Sequence, residues 1–198
     1  MQTTLSSPQG LSQSSDRSFT QTLPGRIVLM VAATAFIAAC AHIAVPLPFT
    51  PVPLSMQDFA VLLVGLALGP VAGFGALTLY LAEGAMGMPV FTPQGLGGVA
   101  QIIGPTGGFL LSYPFVAAIA GWGARSLRIQ NGFARAALAC TFASIVLFAF
   151  GATWLAQYRH LAPLPVFHMA VTPFLPGNAV KIAAAAGIFS AIDRLRRA

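Results

Sequence analysis

The segment 172–192, TPFLPGNAVKIAAAAGIFSAI, decides the class of protein to which this chain belongs. Its 21 residues carry a single charge, Lys181, which is also the only lysine in the sequence. A helix that crosses a membrane needs about 20 mostly apolar residues. A charge inside such a helix costs ~2.5–3.5 kcal/mol on insertion scales and usually faces a cavity or a partner. Lys181 is therefore a candidate functional residue.

The rest of the composition agrees with a membrane protein. Of the 198 residues, 57% are hydrophobic and 7% are charged, whereas a soluble domain has about 25% charged residues. The formal net charge is +6, but the arginines lie mostly at the ends of apolar runs. This placement is typical of the flanks of membrane helices and does not predict a nucleic-acid-binding surface.

Further apolar runs indicate more membrane-spanning helices, at 27–45, 54–68, 71–86, 108–124 and 136–155. With 172–192 they predict an all-α integral membrane protein of six transmembrane helices. The proline-rich segment 46–53 is predicted to be a stiff, extended loop, because proline lacks an N–H group and disfavours helix before it. The glycine-rich segment 87–107 and the segment 157–171 are predicted to be loops on the same side.

The distribution of arginine predicts the orientation. If both termini are cytoplasmic, eight arginines lie inside and Arg159 alone lies outside, a clear positive-inside bias. Residues 1–25, rich in Ser, Thr and Gln, are then expected to be a disordered polar cytoplasmic tail. Residues 26–198 form the predicted transmembrane substrate-binding domain.

Polar residues near the outer ends of the predicted helices are candidates for a binding site. Asn178 and Lys181 are three residues apart and so share a helix face. Two acids, Glu83 and Asp58, lie near the same interface. Either acid could neutralise Lys181 for purely structural reasons, orient a ligand, or relay protons in a secondary transporter.

The sequence contains no motif for catalysis, metal binding or nucleotide binding. It has no His-Glu-x-x-His, no Gly-x-Ser-x-Gly and no Gly-x-x-x-x-Gly-Lys-[Ser/Thr]. We therefore expect a chain that is not an enzyme, holds no metal or cofactor, and has no ATPase of its own.

Several motifs, taken in their order and spacing, resemble one family. They are PVP at 51–53 followed by Gln57, LYLAEGA at 79–85 continuing to GMPVF at 87–91, IGPTGGF at 103–109, and FLPGN at 174–178 with Lys181. Together they are similar to the BioY family, the biotin-binding S components of energy-coupling-factor (ECF) vitamin transporters.

This resemblance implies a subunit of the bacterial cytoplasmic membrane that binds biotin from the outer face with high affinity. It also implies two kinds of partner: a transmembrane coupling subunit and cytoplasmic ABC-type ATPases, which alone use ATP. By analogy Ala35 and Ala39, a small-x-x-x-small pair in the first helix, contact the coupling subunit. The pair alone equally fits packing within the chain or contact with a second copy.

The resemblance also suggests residues for the biotin site. The aromatic walls would be Tyr80, Phe91, Trp154 and Phe174, and the polar contacts would be Gln57, Glu83, Asn178 and Lys181. The family usually has an acid where this chain has Asn178, whose amide still accepts a hydrogen bond through its carbonyl oxygen. Lys181 could meet either the carboxylate or the ureido oxygen of biotin. An S component for another vitamin remains the alternative closest to this prediction.

Overall fold

A computed structural model describes residues 22–197. The predicted tail at 1–25 therefore lies mostly outside the described residues. In chain order the elements are α1 (Leu23–His42), β1 (Ala44–Val45), β2 (Leu54–Ser55), α2 (Gln57–Leu68), α3 (Pro70–Ala85), α4 (Gly98–Ile102), α5 (Gly107–Ser126), α6 (Gly132–Arg159), α7 (Pro163–Ala170), a 3-10 turn (Thr172–Phe174) and α8 (Leu175–Arg197).

The prediction of a helical membrane protein is confirmed in its coarse form. Within residues 22–197, four stretches are long and apolar enough to cross a membrane: α1, α5, α6 and the run 163–195. Helices α2 and α3 match two of the predicted runs, but they have 12 and 16 residues. The number of membrane crossings therefore stays a prediction.

The proline-rich segment 46–53 differs from its prediction. Helix α1 ends at His42, and Ala44–Val45 pairs antiparallel with Leu54–Ser55. Strands that pair antiparallel require the chain between them to reverse direction. The prediction of an extended loop is therefore corrected to a hairpin connection, and α2 begins at Gln57, three residues later than the predicted 54.

Two other loops contain helices that the sequence pattern did not indicate. The segment 157–171 includes α7, which begins where Pro163 occupies the first turn, a position that proline favours. The glycine-rich segment contains the short helix α4. Helix α6 also starts earlier than predicted, because the Oδ1 of Asn131 caps the N–H groups of Phe133 and Ala134.

Close packing of α2 on α5 forms the centre of the bundle. A Cβ atom on Gly65 would collide with the backbone of Ala117, so a glycine is required for the two helices to approach this closely. Asp58 lies two helical turns before Gly65, and Tyr113 lies about one turn before Ala117. The crossing therefore brings the first turn of α2 beside the middle of α5.

The bundle has two chemically different ends. At one end lie the hairpin 44–55 and the segment 86–106, and we call this the loop end. At the other end Arg135, near the start of α6, forms an ion pair with Asp193 near the end of α8, with 3.1 Å between Nη2 and Oδ2. Arg125 lies on the same side, where its guanidinium donates to the backbone carbonyls of Gly121 and Leu66. We call this the arginine end.

Candidate ligand-binding site

An ion pair between α8 and α2 lies beneath the loop end. The Nζ of Lys181 is 3.0 Å from Oδ2 of Asp58. The other carboxylate oxygen of Asp58, Oδ1, accepts a hydrogen bond from the hydroxyl of Tyr113 on α5 at 3.0 Å. Lys181 is buried, with 8% of its side chain exposed, while the Asp58 side chain is 22% exposed. The carboxylate of Asp58 is therefore more accessible than the ammonium group of Lys181.

Asn178 lies one turn before Lys181 on α8 and is also buried. Its Oδ1 accepts a hydrogen bond from the hydroxyl of Ser144 on α6 at 3.4 Å. The predicted shared face is therefore a buried face that meets α2 and α6. Polar side chains from four helices converge at this level: Asp58 on α2, Tyr113 on α5, Ser144 on α6, and Asn178 with Lys181 on α8.

A second hydrogen-bonded chain ties α2 and α3 to the loop end. The Nε2 of Gln57 donates to the hydroxyl of Tyr80 at 2.7 Å, and that hydroxyl donates to the carbonyl of Val90 at 2.7 Å. The rings of Tyr80 and Phe91 meet edge to face, with centroids 5.4 Å apart. All three predicted site residues are buried, and of these Gln57 lines the space beside Asp58.

A cleft opens above Asp58. Its cavity volume is about 40 Å³, so it is narrow in this conformation. The charged residue in its wall is Asp58, and the rest of the wall is aromatic, aliphatic or neutral polar. The lining residues are Val52, Pro53, Ser55, Gln57, Asp58, Thr92, Gln101, Thr106, Phe109, Leu110, Tyr113, Phe148 and Phe174. We call this space the cleft.

A wider space, which we call the vestibule, adjoins the cleft. Its cavity volume is about 220 Å³, more than five times that of the cleft. The vestibule and the cleft share Pro53, Thr92, Gln101 and Thr106 in their walls. The residues that line the vestibule are Pro51, Pro53, Thr92, Gln94, Gly95, Leu96, Ala100, Gln101, Pro105 and Thr106, and none of them is charged.

Gln101, on the short helix α4, holds the boundary between the two spaces. It is buried, and its Nε2 donates to the hydroxyl of Thr92 at 2.9 Å. Its Oε1 accepts from the backbone N–H of Gly97 at 3.2 Å. A Cβ atom at Gly95 would collide with this amide, so a larger residue there would have to displace the Gln101 side chain. The segment 92–101 is therefore folded around one glutamine side chain.

The predicted site residues do not all meet at the cleft. Gln57 and Phe174 line it, while Lys181 reaches it through Asp58. Glu83 instead accepts a hydrogen bond from the hydroxyl of Thr34 on α1 at 3.1 Å. Trp154 donates from Nε1 to the carbonyl of Gly104 at 2.9 Å and lines a separate hollow between α5 and α6. Tyr80, Phe91 and Asn178 do not line the cleft either. Direct contact of any predicted site residue with a ligand stays a prediction.

The predicted partner-contact residues lie on a surface of the bundle. Ala35 and Ala39 are both exposed on α1, which is the least buried of the four candidate spans. In this structure the small-x-x-x-small pair therefore does not serve packing within the described residues. Contact with another subunit or with a second copy stays a prediction.

The structure adds residues that the sequence prediction omitted from the site. Asp58 was considered as a partner of Lys181, and the structure selects it over Glu83. Tyr113 gave no signal, because it lies within an apolar run and its hydroxyl role depends on the crossing with α2. Thr92 and Gln101 lie in the glycine-rich segment, where no spacing indicated that they meet.

This arrangement favours a neutral ligand head that donates hydrogen bonds. The charges of Lys181 and Asp58 cancel, so the pair as a whole does not attract an ion. Asp58 nevertheless lines the cleft, and carboxylate oxygens accept charge-assisted hydrogen bonds, more than one each. Apolar walls with a few convergent polar groups are the usual composition of a small-molecule site.

The fold defines a helical membrane protein with several apolar helices and a cleft beneath its loops. The chain belongs to the BioY family, whose model matches residues 12–198. The family resemblance predicted from the motifs is therefore confirmed.

Individual relatives agree with this assignment. A probable biotin transporter BioY of Pyrococcus horikoshii is 38% identical over 135 residues, covering 68% of this chain and 76% of that protein. A biotin transporter BioY of Lactococcus lactis is 32% identical over 152 residues, covering 75% and 79%.

A solved structure supports the same conclusion. The S component for biotin from an ECF-type ABC transporter matches with a TM-score of 0.77 and 27% identity, over 90% of this chain and 95% of that one. These relatives are named as transporters or transporter components, which agrees with the prediction that the chain is not an enzyme.

Proposed function

We propose that this chain binds biotin and supports its uptake as the substrate-specific subunit of an ECF-type ABC transporter. Membership of the BioY family carries the proposal, together with the likeness to the biotin S component over 90% of the chain. The cleft, with Asp58 in its wall and Lys181 paired to Asp58 behind it, supplies a location for the ligand.

The chemistry of biotin suits this cleft. Biotin has an apolar pair of fused rings, a ureido head with two N–H donors and one carbonyl acceptor, and a carboxylate tail. The rings match the apolar wall that Phe109, Leu110 and Phe174 provide. The ureido N–H groups match the carboxylate of Asp58 and the carbonyl oxygen of Asn178. Lys181 can donate to the ureido oxygen while it still pairs with Asp58.

Asp58 offers an answer to the missing acid at position 178. In the family an acid at that position would accept from the ureido N–H groups. Here the carboxylate beside Lys181 comes from α2 instead of α8, at 3.0 Å from Nζ. We infer that Asp58 supplies the negative charge of the site in this chain.

Entry of a ligand requires the cleft to widen. A cavity of about 40 Å³ has room for roughly three water molecules, far less than a bound vitamin needs. The movable parts are the segment 92–106 and the hairpin, because these loops cover the cleft. Binding is therefore expected to displace or reorder the loop end while the helices below it stay in place.

We also propose the membrane arrangement that the arginines indicate. Six crossings would place both termini, and with them the polar tail, on the cytoplasmic side of a bacterial cytoplasmic membrane. The arginine end then faces the cytoplasm and the loop end faces outward, which suits capture of an external ligand. The coupling subunit and the ATPases that use ATP would bind from within the membrane and the cytoplasm, with Ala35 and Ala39 toward the coupling subunit.

One experiment tests the function before any site is assumed. The chain is expressed alone, extracted in mild detergent and purified, and the small molecules released on denaturation are identified by mass spectrometry. We expect biotin in a stoichiometry approaching one per chain. Release of a different vitamin would establish the alternative S-component function. Absence of biotin, even after incubation with excess biotin, would contradict the proposal.

A further inference from the structure

The electrostatics of the cleft bear on how its ligand is oriented, given the proposed function in biotin binding. The charged side chain in its wall is an acid, Asp58, and the nearest cation among the described residues, Lys181, is already paired with that acid. A ligand carboxylate in the cleft would therefore face the acidic member of a neutral ion pair and meet no unpaired cation among the described residues. The ureido head would meet an acceptor that matches its donors.

The vestibule is the space into which the other end of the ligand extends. It adjoins the cleft, and the two spaces share Pro53, Thr92, Gln101 and Thr106 in their walls. With the ureido head at Asp58, the carboxylate tail points into the vestibule. At about 220 Å³, the vestibule holds more than the few tail atoms of biotin require.

The lining of the vestibule is neutral. Within the described part of the chain, its walls contain no arginine, lysine or histidine. Its rim is open to water, since Leu96 is 85% exposed and Gln94 is also exposed. A carboxylate there keeps its hydration, and the neutral groups of Gln94 and Thr106 serve an amide carbonyl as well as a carboxylate oxygen.

We propose that the site accepts neutral amides of biotin, joined through its carboxylate, as well as the free acid. The ureido head and fused rings define the ligand, and the vestibule admits what is attached to the tail. The ligand class is therefore biotin and its carboxamides, including amides that carry an alkyl chain.

Competition binding with the purified full chain tests this proposal. Radiolabelled biotin is displaced by biotin, by its primary amide and by its hexylamide. We expect the three dissociation constants to agree within about threefold. Weakening of both amides by tenfold or more, with biotin itself binding, would overturn the inference and leave the proposed function intact. If none of the three compounds binds, the proposed function fails and the inference fails with it.

A pair of variants tests where the attached chain lies. Ala100→Trp adds a large ring at the wall of the vestibule, and Val99→Trp adds the same ring to the exposed neighbour on α4, outside that wall. We expect Ala100→Trp to raise the ratio of the hexylamide to the free-acid dissociation constant by about tenfold, and Val99→Trp to leave this ratio within about twofold. An unchanged ratio in Ala100→Trp would overturn the placement of the tail in the vestibule.

Discussion

Two ion pairs, one at each end of the bundle, have nearly the same geometry and very different surroundings. Lys181 meets Asp58 at 3.0 Å at the loop end, and Arg135 meets Asp193 at 3.1 Å at the arginine end. Each joins α8 to another helix. The first pair is held by Tyr113 as well and borders the cleft. The second lies at the basic end of the helices, away from the cleft.

The comparison teaches that an ion pair inside a membrane bundle is not by itself a mark of a binding site. Both pairs border a space, which for Arg135 and Asp193 is a cavity of about 320 Å³ that Arg125 also lines. What separates the two pairs is the composition of that space, because the cleft beside Asp58 has aromatic, aliphatic and neutral polar walls and lies beneath the loops. If this interpretation is right, breaking the first pair removes ligand binding, and breaking the second affects only the stability of the protein.

The largest effect is expected for Lys181→Met, compared with Arg135→Met as a matched control. Removing Lys181 leaves Asp58 without its cation and takes a donor from the site, so we expect biotin affinity to fall about 100-fold, ~2.7 kcal/mol. In Arg135→Met the affinity should stay within about twofold, because the substitution is remote from the cleft. Equilibrium binding of radiolabelled biotin to the two purified variants measures both values.

A thermal control separates loss of the site from loss of the fold. The double variant Asp58→Asn with Lys181→Met removes both charges, so it should unfold at a higher temperature than Lys181→Met alone. We expect it to recover stability without recovering affinity. Recovery of wild-type affinity in the double variant would show that the pair acts only in folding.

An intermediate effect is expected for Asn178→Ala. The substitution removes the carbonyl acceptor that lies one turn from Lys181 and leaves the hydroxyl of Ser144 without this partner. We expect biotin affinity to fall about tenfold, ~1.4 kcal/mol, since each lost hydrogen bond of this kind contributes on the order of 1 kcal/mol. Isothermal titration calorimetry measures it. Ser144→Ala is the comparison, and its affinity should change less.

The smallest effect is expected for Tyr113→Phe. It deletes the hydroxyl that donates to Asp58 but keeps the ring that lines the cleft. The carboxylate then turns more freely, and we expect affinity to fall about fivefold, ~1 kcal/mol. The same titration measures the effect. A loss as large as that of Lys181→Met would mean that Tyr113 contacts the ligand itself, and an unchanged affinity would mean that the position of Asp58 is fixed by Lys181 alone.

Much of the fold follows from the sequence because apolar length and arginine position are local signals. The runs at 71–86 and 108–124 agree with α3 and α5 within about two residues at each end. The hairpin at 44–55 could not be predicted in this way, because its two strands have only two residues each and neither gives a local signal that it pairs with the other. Helix α7 was missed because proline usually interrupts a helix. In the first turn of a helix, where Pro163 lies, proline is favoured.

The site could be predicted only in part, for a similar reason. Lys181 and Asn178 stood out because a charge and an amide in an apolar run are costly. The choice between Glu83 and Asp58 as the partner of Lys181 depends on which faces of α2 and α3 turn toward α8. The sequence pattern alone does not give these helix orientations. The structure turns Glu83 toward Thr34 on α1 and Asp58 toward Lys181. The loop contact between Gln101 and Thr92 likewise arises from the fold of the glycine-rich segment.

A crystal structure of the full chain with biotin bound tests most directly whether the loop-end pair forms the binding site. We expect one biotin in the widened cleft, with its ureido nitrogens within about 3.2 Å of the carboxylate of Asp58 or the carbonyl oxygen of Asn178. Its carboxylate should lie in the vestibule between residues 92–106 and Pro51. Biotin bound elsewhere on the chain, or with its carboxylate against Lys181 and its ureido head in the vestibule, would contradict this assignment.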